Sequence, residues 1–194
     1  MKLPNKKYSI IYADPPWSYR DKRDKHPRIS GGATVHYETM TTNDIKNLEV
    51  EKIADKNCML FLWVTFPNLQ DGLDTIKAWG FEYKTIAFNW IKYNTNEKNL
   101  FFGIGYYTKS NSEICLIGVK GKPIKISDNV SSIVFAPKEE HSRKPPEVRS
   151  KIIELCGDIP RIELFARQKY KGWDNWGNEF NKTKNNLNEM FYND

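Results

Sequence analysis

The chain has 194 residues, of which 39% are hydrophobic and 28% charged, and this balance predicts one globular domain. Its formal net charge of +6 favours a polyanionic partner such as nucleic acid, because each neutralised phosphate releases counterions. The longest apolar run is too short to span a bilayer, and the three cysteines lack zinc-ligand spacing. With no signal-peptide pattern at its start, we expect a cytoplasmic protein of a bacterial or phage-infected cell, without metal or membrane contact.

Six apolar segments rich in β-branched residues are predicted as strands. They are near-continuous rather than alternating, which is typical of strands covered on both faces. The segments are Tyr8–Ala13, Met59–Val64, Thr85–Ile91, Glu113–Val119, Ser131–Ala136 and Arg161–Ala166.

Helical spacing of apolar residues falls between these strands. Thr42 is predicted to cap a helix ending at Leu48, Gly80 to stop a helix over 67–79, and Pro145-Pro146 to open one over 145–157. Alternating strands and helices imply a mostly parallel sheet in an α/β, Rossmann-like domain of three layers. We assign residues 1–180 to this domain and 181–194 to a polar tail.

Three long loops, over 18–38, 92–109 and 137–146, are rich in basic residues, and the first two also hold aromatic residues. Ligands of open α/β sheets bind at the carboxyl ends of strands, so loops that leave strands are expected to carry function. Tyr106 and Tyr107 in the second loop are either walls of a pocket for a base or core aromatic residues.

Asp14-Pro15-Pro16-Trp17 directly follows the first predicted strand. These residue types suit the methylation of an aromatic amine, whose nitrogen lone pair is delocalised into the ring. The Asp14 carboxylate can accept one amino N–H, and the Pro15 carbonyl, aimed by two rigid prolines, can accept the other. Trp17 offers a flat face for an extruded base. A lone Asp-Pro-Pro could instead end a strand in a simple turn.

Nearly the whole chain resembles the family of Asp-Pro-Pro-Trp N(6)-adenine methyltransferases, which includes the catalytic subunit of the eukaryotic messenger-RNA adenosine methyltransferase. Each matching segment is weak alone, and their common order makes the resemblance specific. The segments are Tyr12–Trp17, His36–Met40, Leu60–Val64, Ala78–Phe81, Gly105–Tyr107, His141–Pro145, Glu163–Arg167 and Gly172–Glu179.

The resemblance implies S-adenosylmethionine as the cofactor and direct methyl transfer to the 6-amino group of adenine. Lys144 matches the lysine that pairs with the methionine carboxylate, and Arg167 matches an arginine near the ribose. Asn178 and Glu179 match residues that contact ribose and adenine, and Asp14 completes the implied cofactor set. Tyr37 lies in a loop whose family counterpart closes over the site, which makes it a candidate wall of the base pocket.

The chain lacks the glycine-rich cofactor loop usual in Rossmann proteins, and Glu163–Arg167 occupies the equivalent place. Its motifs follow the order of permuted amino-methyltransferases, with the catalytic strand first.

One position departs from the family pattern. The messenger-RNA enzyme has an asparagine three residues beyond the arginine, whereas this chain has Tyr170, so that ribose contact is not carried over. A Gly103-Ile104-Gly105 segment lacks the third glycine and the helix of a dinucleotide loop.

Several functional alternatives stay open at this stage. DNA is the preferred substrate because the chain is small and lacks accessory domains, and RNA is the alternative. A non-catalytic nucleic-acid-binding subunit would also keep this fold, although the retained Asp-Pro-Pro motif favours an enzyme. A small-molecule amine methyltransferase would not need the basic loops. A homodimer or a partner subunit is expected, because one compact domain grips little nucleic acid.

Overall fold

The computed structural model describes residues 2–18, 40–95, 99–105, 107–138 and 143–177. Four candidate residues of the sequence analysis lie outside these ranges, as does the tail over 181–194. They are Tyr37, Tyr106, Asn178 and Glu179.

The described residues form one seven-stranded sheet in the order β5-β3-β4-β2-β1-β6-β7. Every neighbouring pair is parallel except those made by β4, which runs against both β2 and β3. The strands are β1 (Tyr8–Ala13), β2 (Ala54–Val64), β3 (Glu82–Tyr93), β4 (Ser112–Lys120), β5 (Ile133–Pro137), β6 (Arg161–Leu164) and β7 (Asp174–Trp176). The predicted mostly parallel α/β sheet is confirmed.

Three helices cover the two faces of this sheet: α1 (Thr42–Lys46), α2 (Leu69–Ala78) and α3 (Glu147–Cys156). Side chains of α1 and α2 pack on one face and those of α3 on the other, which makes the predicted three layers. Prolines precede α3, and Gly157 ends it at φ 91°, a left-handed value that favours glycine.

The predicted cap of α1 was wrong by one residue. Thr42 is the first helical residue, and the side chain of Thr41 accepts the backbone N–H of Asp44 at 3.1 Å. Capping requires the residue before the helix, because only its side chain can reach the free N–H groups of the first turn. The helix also ends at Lys46 rather than Leu48.

Two differences concern the last strands. Strand β6 ends at Leu164 rather than Ala166, because Phe165 turns the backbone at φ 59° and Ala166 then donates its N–H to the Trp176 carbonyl. Strand β7 was not predicted, since three residues carry too little pattern to stand out from a polar segment.

The sheet order reverses at β1. The chain leaves β1 through α1 to β2 on one side, and later crosses from β5 through α3 to β6 on the other. Such a reversal opens a crevice at the carboxyl ends of the strands, where ligands of open α/β sheets bind. Because β4 is antiparallel, its first residues, and not its last, lie at this edge.

The core holds all three cysteines as free, buried thiols. Cys58 lies on β2, Cys115 on β4 and Cys156 on α3. Burial raises the pKa of Cys58 and of Cys156 to about 12, and raises that of Cys115 well above its usual value. These thiols therefore stay protonated at neutral pH.

Candidate active site

Asp14 is the first residue after β1, at the edge where the sheet order reverses. Its side chain is 20% exposed, whereas Pro15 behind it is buried. The Pro15 carbonyl accepts the backbone N–H of Trp17 at 2.9 Å, and the Pro16 carbonyl accepts that of Met40 at 2.9 Å. The prolines and these bonds fix the backbone of the turn, so the Asp14 carboxylate faces the crevice from a rigid base.

Trp17 belongs to the hydrophobic core. The residue is 5% exposed, and its indole N–H donates to the Trp63 carbonyl at 2.9 Å. Core side chains therefore cover the ring that the sequence analysis assigned to base stacking. The described geometry favours a different role, in which Trp17 anchors the catalytic turn to β2.

Lys144 is held against Asp14 although the two residues are 130 positions apart. The Lys144 Nζ lies 2.8 Å from Asp14 Oδ1 and 2.9 Å from Oδ2. Its side chain is only 7% exposed, and the ammonium also lies 5.5 Å from the centre of the Trp63 ring. A buried cation needs such compensation because desolvation is costly.

Two further residues extend this pair into a buried network. Glu113, the second residue of β4, lies 3.2 Å from Lys144 through Oε2 and binds Lys92 of β3 through Oε1. The Lys92 and Glu113 side chains are about one tenth exposed. Asp14, Lys144, Glu113 and Lys92 thus alternate in charge, and two carboxylates balance two ammonium groups.

The network fixes the charge of its members. Burial alone would raise the pKa of Glu113, but the ammonium groups of Lys144 and Lys92 outweigh it and lower that pKa from 4.5 to about 2. Burial alone would lower the pKa of Lys144, but Asp14 and Glu113 outweigh it and raise that pKa. Lys144 is therefore a permanent cation that cannot take up a proton.

A second buried ion pair supports the end of β6. Arg149 of α3 donates to Glu163 through Nε at 2.8 Å and Nη2 at 2.5 Å. Its guanidinium lies 3.5 Å from the centre of the Tyr170 ring, a cation–π contact. Tyr170, which stands where the messenger-RNA enzyme has asparagine, therefore helps to pack α3 near the sheet edge.

Arg167 follows the turn that ends β6. Because Ala13 pairs with Leu164, the residues after β1 and β6 leave the sheet side by side. Gly177 ends β7 against this turn, and a Cβ there would lie 2.5 Å from the Ala166 carbonyl oxygen. The backbones of Gly177 and Ala166 are therefore in contact beside the crevice, and a side chain at position 177 would separate them.

The connection between β3 and β4 projects from the same edge and carries exposed apolar side chains. Tyr107 is 93% exposed, and Phe102 and Ile104 are 61% and 80% exposed. Isolated bridges join Tyr93 to Leu100 and Gly103 to Ser110, so the segment folds back as a hairpin. We call residues 99–110 the β3–β4 hairpin; Tyr106 within it is not described.

The MT-A70 family profile matches residues 8–179 of the chain, which spans all seven strands. The chain belongs to the MT-A70 family of methyltransferases. This confirms the resemblance inferred from the sequence, and with it an enzyme of the adenine-methylating group.

Two relatives illustrate the range of this family. The type II methyltransferase M.MunI of Mycoplasma sp is 35% identical over 198 residues, covering 94% of this chain and 82% of M.MunI. The human N(6)-adenosine-methyltransferase catalytic subunit METTL3 is 29% identical over 177 residues, covering 89% of this chain and 28% of METTL3. The chain thus spans most of the bacterial relative but about a quarter of the human one.

Within this MT-A70 domain, the structure brings together Asp14, Pro15 and Lys144, with Arg167 on the neighbouring connection. Sequence reasoning missed Glu113, Lys92 and Glu163. A usable signal existed, since each is a charged residue in or beside an apolar strand segment, where an unpaired charge would be destabilising.

The described residues contain no group of three or more His, Cys, Asp or Glu side chains placed to hold a metal ion. Among the helices of the same ranges, none is long and apolar enough to cross a membrane.

Replacing Trp17 with Phe tests its anchoring role. The variant loses the indole N–H and leaves the Trp63 carbonyl without that buried donor. We expect the free energy of unfolding to fall by about 1–3 kcal/mol. Urea unfolding followed by circular dichroism measures the change, and an unaltered midpoint and slope would contradict the anchoring role.

Glu113→Gln tests the buried network through its pH dependence. The variant leaves the buried Lys92 ammonium facing a neutral amide and takes one of two carboxylates from Lys144, which keeps Asp14, so we expect a loss of about 3–5 kcal/mol at pH 7. Because the pKa of Glu113 is lowered by folding, its contribution is present above its unfolded value near 4.5 and vanishes as the pH falls toward 2. The measurement compares urea unfolding of the variant and the wild type from pH 7 to pH 3. A difference that stays constant over this range would refute the assignment.

Proposed function

We propose that this chain transfers a methyl group from S-adenosylmethionine to the 6-amino group of adenine in DNA. One observation carries the proposal: the Asp14 carboxylate stands at the sheet's reversal point, fixed by a rigid Asp-Pro-Pro turn and balanced by the buried cation of Lys144. In an MT-A70 domain, this arrangement suits a reaction that must orient a weakly nucleophilic amine.

The chemistry asked of the residues is hydrogen bonding to the amino group. In the proposal, Asp14 accepts one amino N–H, which favours a pyramidal nitrogen with an available lone pair. The Pro15 carbonyl already accepts the Trp17 N–H, and its second lone pair is left for the other amino N–H. Lys144 keeps its proton, so the proton released after transfer goes to Asp14 or to solvent.

The donor set suits the cofactor that methyltransferases generally use. S-adenosylmethionine supplies an activated methyl group on a sulfonium, and its amino-acid end carries a carboxylate and an ammonium. Lys144 and Arg167 would serve the carboxylate and the ribose hydroxyls, and Asp14 the ammonium. Asn178 and Glu179 remain proposed contacts to ribose and adenine that lie outside the described residues.

The substrate base is proposed to meet the exposed β3–β4 hairpin. The hairpin leaves the edge that carries Asp14, and Lys138, whose Nζ lies 4.4 Å from the centre of the Phe101 ring, adds positive charge beside it. Exposed rings such as Tyr107 can stack on an unpaired base. The target base must leave the stack of the nucleic acid to reach the Asp14 carboxylate at the sheet edge. Tyr37 and Tyr106 keep their proposed role in the same pocket.

DNA is the proposed polymer because the chain matches most of a type II methyltransferase, a DNA-modifying class. RNA is the second candidate, since the eukaryotic relatives named as N(6)-adenosine methyltransferases share 28–29% identity over about nine tenths of the chain. A second copy of the chain, or a partner subunit, is proposed to provide further contacts to the nucleic acid.

The test is methyl transfer from labelled S-adenosylmethionine to matched DNA and RNA oligonucleotides, with the product nucleosides resolved by mass. We expect N(6)-methyladenine in DNA, and Asp14→Asn should lower kcat by about 10²-fold or more, because the amide cannot replace a charged acceptor. Asp74→Asn, at an exposed carboxylate of α2, is the control. Product in RNA alone would overturn the choice of polymer, and an active Asp14→Asn variant would overturn the mechanism.

The hairpin prediction uses the double variant Phe102→Ser/Ile104→Ser. Both side chains are largely exposed, so the fold should keep its stability while the KM for DNA rises about tenfold through lost stacking and apolar contact. Ile124→Ser is the matched control, since Ile124 is 78% exposed and follows the opposite end of β4. Equal KM values for the variant and the wild type would exclude the hairpin from the substrate interface.

A further inference from the structure

Lys92 has no role in the proposed chemistry, yet it is one of few lysines buried among the described residues. Its residue exposure is 8%, its ammonium binds Glu113, and it lies 4.8 Å from the centre of the Trp90 ring. Burying an ammonium costs several kcal/mol of desolvation, so a lysine there calls for an explanation beyond packing.

The explanation lies in the charge count at the site. Lys144 touches two carboxylates, Asp14 and Glu113, which cannot both be balanced by one ammonium. Carboxylates that share a buried site raise each other's affinity for protons. Lys92 supplies the second positive charge and, together with Lys144, lowers the pKa of Glu113 from 4.5 to about 2.

The proposed reaction makes this balance necessary. Asp14 is a charged acceptor for an amino N–H only while it is ionised, and both its oxygens face Lys144 in this structure. When Asp14 engages the substrate, Glu113 remains as a partner for the Lys144 ammonium. Glu113 can do this only if it also keeps its charge.

We propose that Lys92 is a positioning residue which, through Glu113, keeps Lys144 in place against Asp14 and keeps the Glu113 carboxylate ionised. The inference rests on the proposed function, in that Asp14 must act as a charged acceptor. The charged and titratable groups around the pair are Lys92 on β3, Glu113 and Cys115 on β4, Lys144 before α3, Asp14 after β1 and Glu163 on β6.

The test replaces Lys92 with Met, which keeps length but removes charge, and with Arg, which restores it. In Lys92→Met, Glu113 faces one ammonium instead of two, so it retains a proton to higher pH. We expect the acid limb of the kcat–pH profile to move up by about one pH unit or more, so that the ratio of variant to wild-type kcat falls about tenfold as the pH is lowered through that limb. Lys92→Arg should restore the profile, and KM for DNA should change little.

Lys84→Met is the matched control, because Lys84 lies on the same strand and makes an exposed ion pair with Glu82. Its pH profile should equal that of the wild type. An unshifted profile in Lys92→Met, with the wild type active, would overturn the inference and leave the proposed function intact.

A second readout does not depend on catalysis. In the wild type, the lowered pKa of Glu113 stabilises the fold above about pH 4.5, and this contribution is lost as the pH falls toward 2. Lys92→Met removes one of the two ammonium groups that lower this pKa, so we expect a smaller part of the unfolding free energy to be lost between about pH 5 and pH 3 than in the wild type or in Lys84→Met. If no nucleic acid is methylated, the proposed function fails, and this stability profile still decides whether Lys92 controls the charge of the pair.

Discussion

The contact between Asp14 and Lys144 is the constraint on which the rest of the site depends. Neither charge would be stable alone at this depth, so the chain must bring together the end of β1 and the segment before α3. The sheet does so by reversing its order at β1 and sending α3 across the opposite face. Glu113 of β4 and Lys92 of β3 complete the balance of charge, so that residues from four separate segments form one electrostatic network.

Much of this could be predicted from the sequence. Continuous apolar segments marked six of the seven strands, and prolines and glycines marked the limits of α2 and α3, because local chemistry decides these features. The Asp-Pro-Pro turn and Lys144 were recognised from residue type and order, and the structure brings them into contact. Strand β7 escaped because its pairing with β6, rather than its own residues, makes it a strand.

The other features of the site depend on the direction in which a strand runs and on how deeply a side chain is buried, and a sequence pattern contains neither. Glu113 reaches the site only because β4 runs antiparallel and starts at the catalytic edge. Trp17 was assigned to an open face, whereas the turn after β1 directs its ring into the core. The sequence comparison assigned no ribose contact to Tyr170, because the messenger-RNA enzyme has an asparagine at that position. The structure shows a different role, in which the Tyr170 ring lies under the Arg149 guanidinium.

The buried cysteines have a consequence for observing this molecule in motion. Their protonated, inaccessible sulfurs cannot react with an alkylating reagent until the segment that covers each of them opens. Cys58 packs in the core on the face of α1 and α2, whereas Cys115 and Cys156 pack in the core on the face of α3. Departure of α3 alone would therefore make Cys115 and Cys156 reactive before Cys58, whereas cooperative opening of the sheet would make all three sulfurs reactive together.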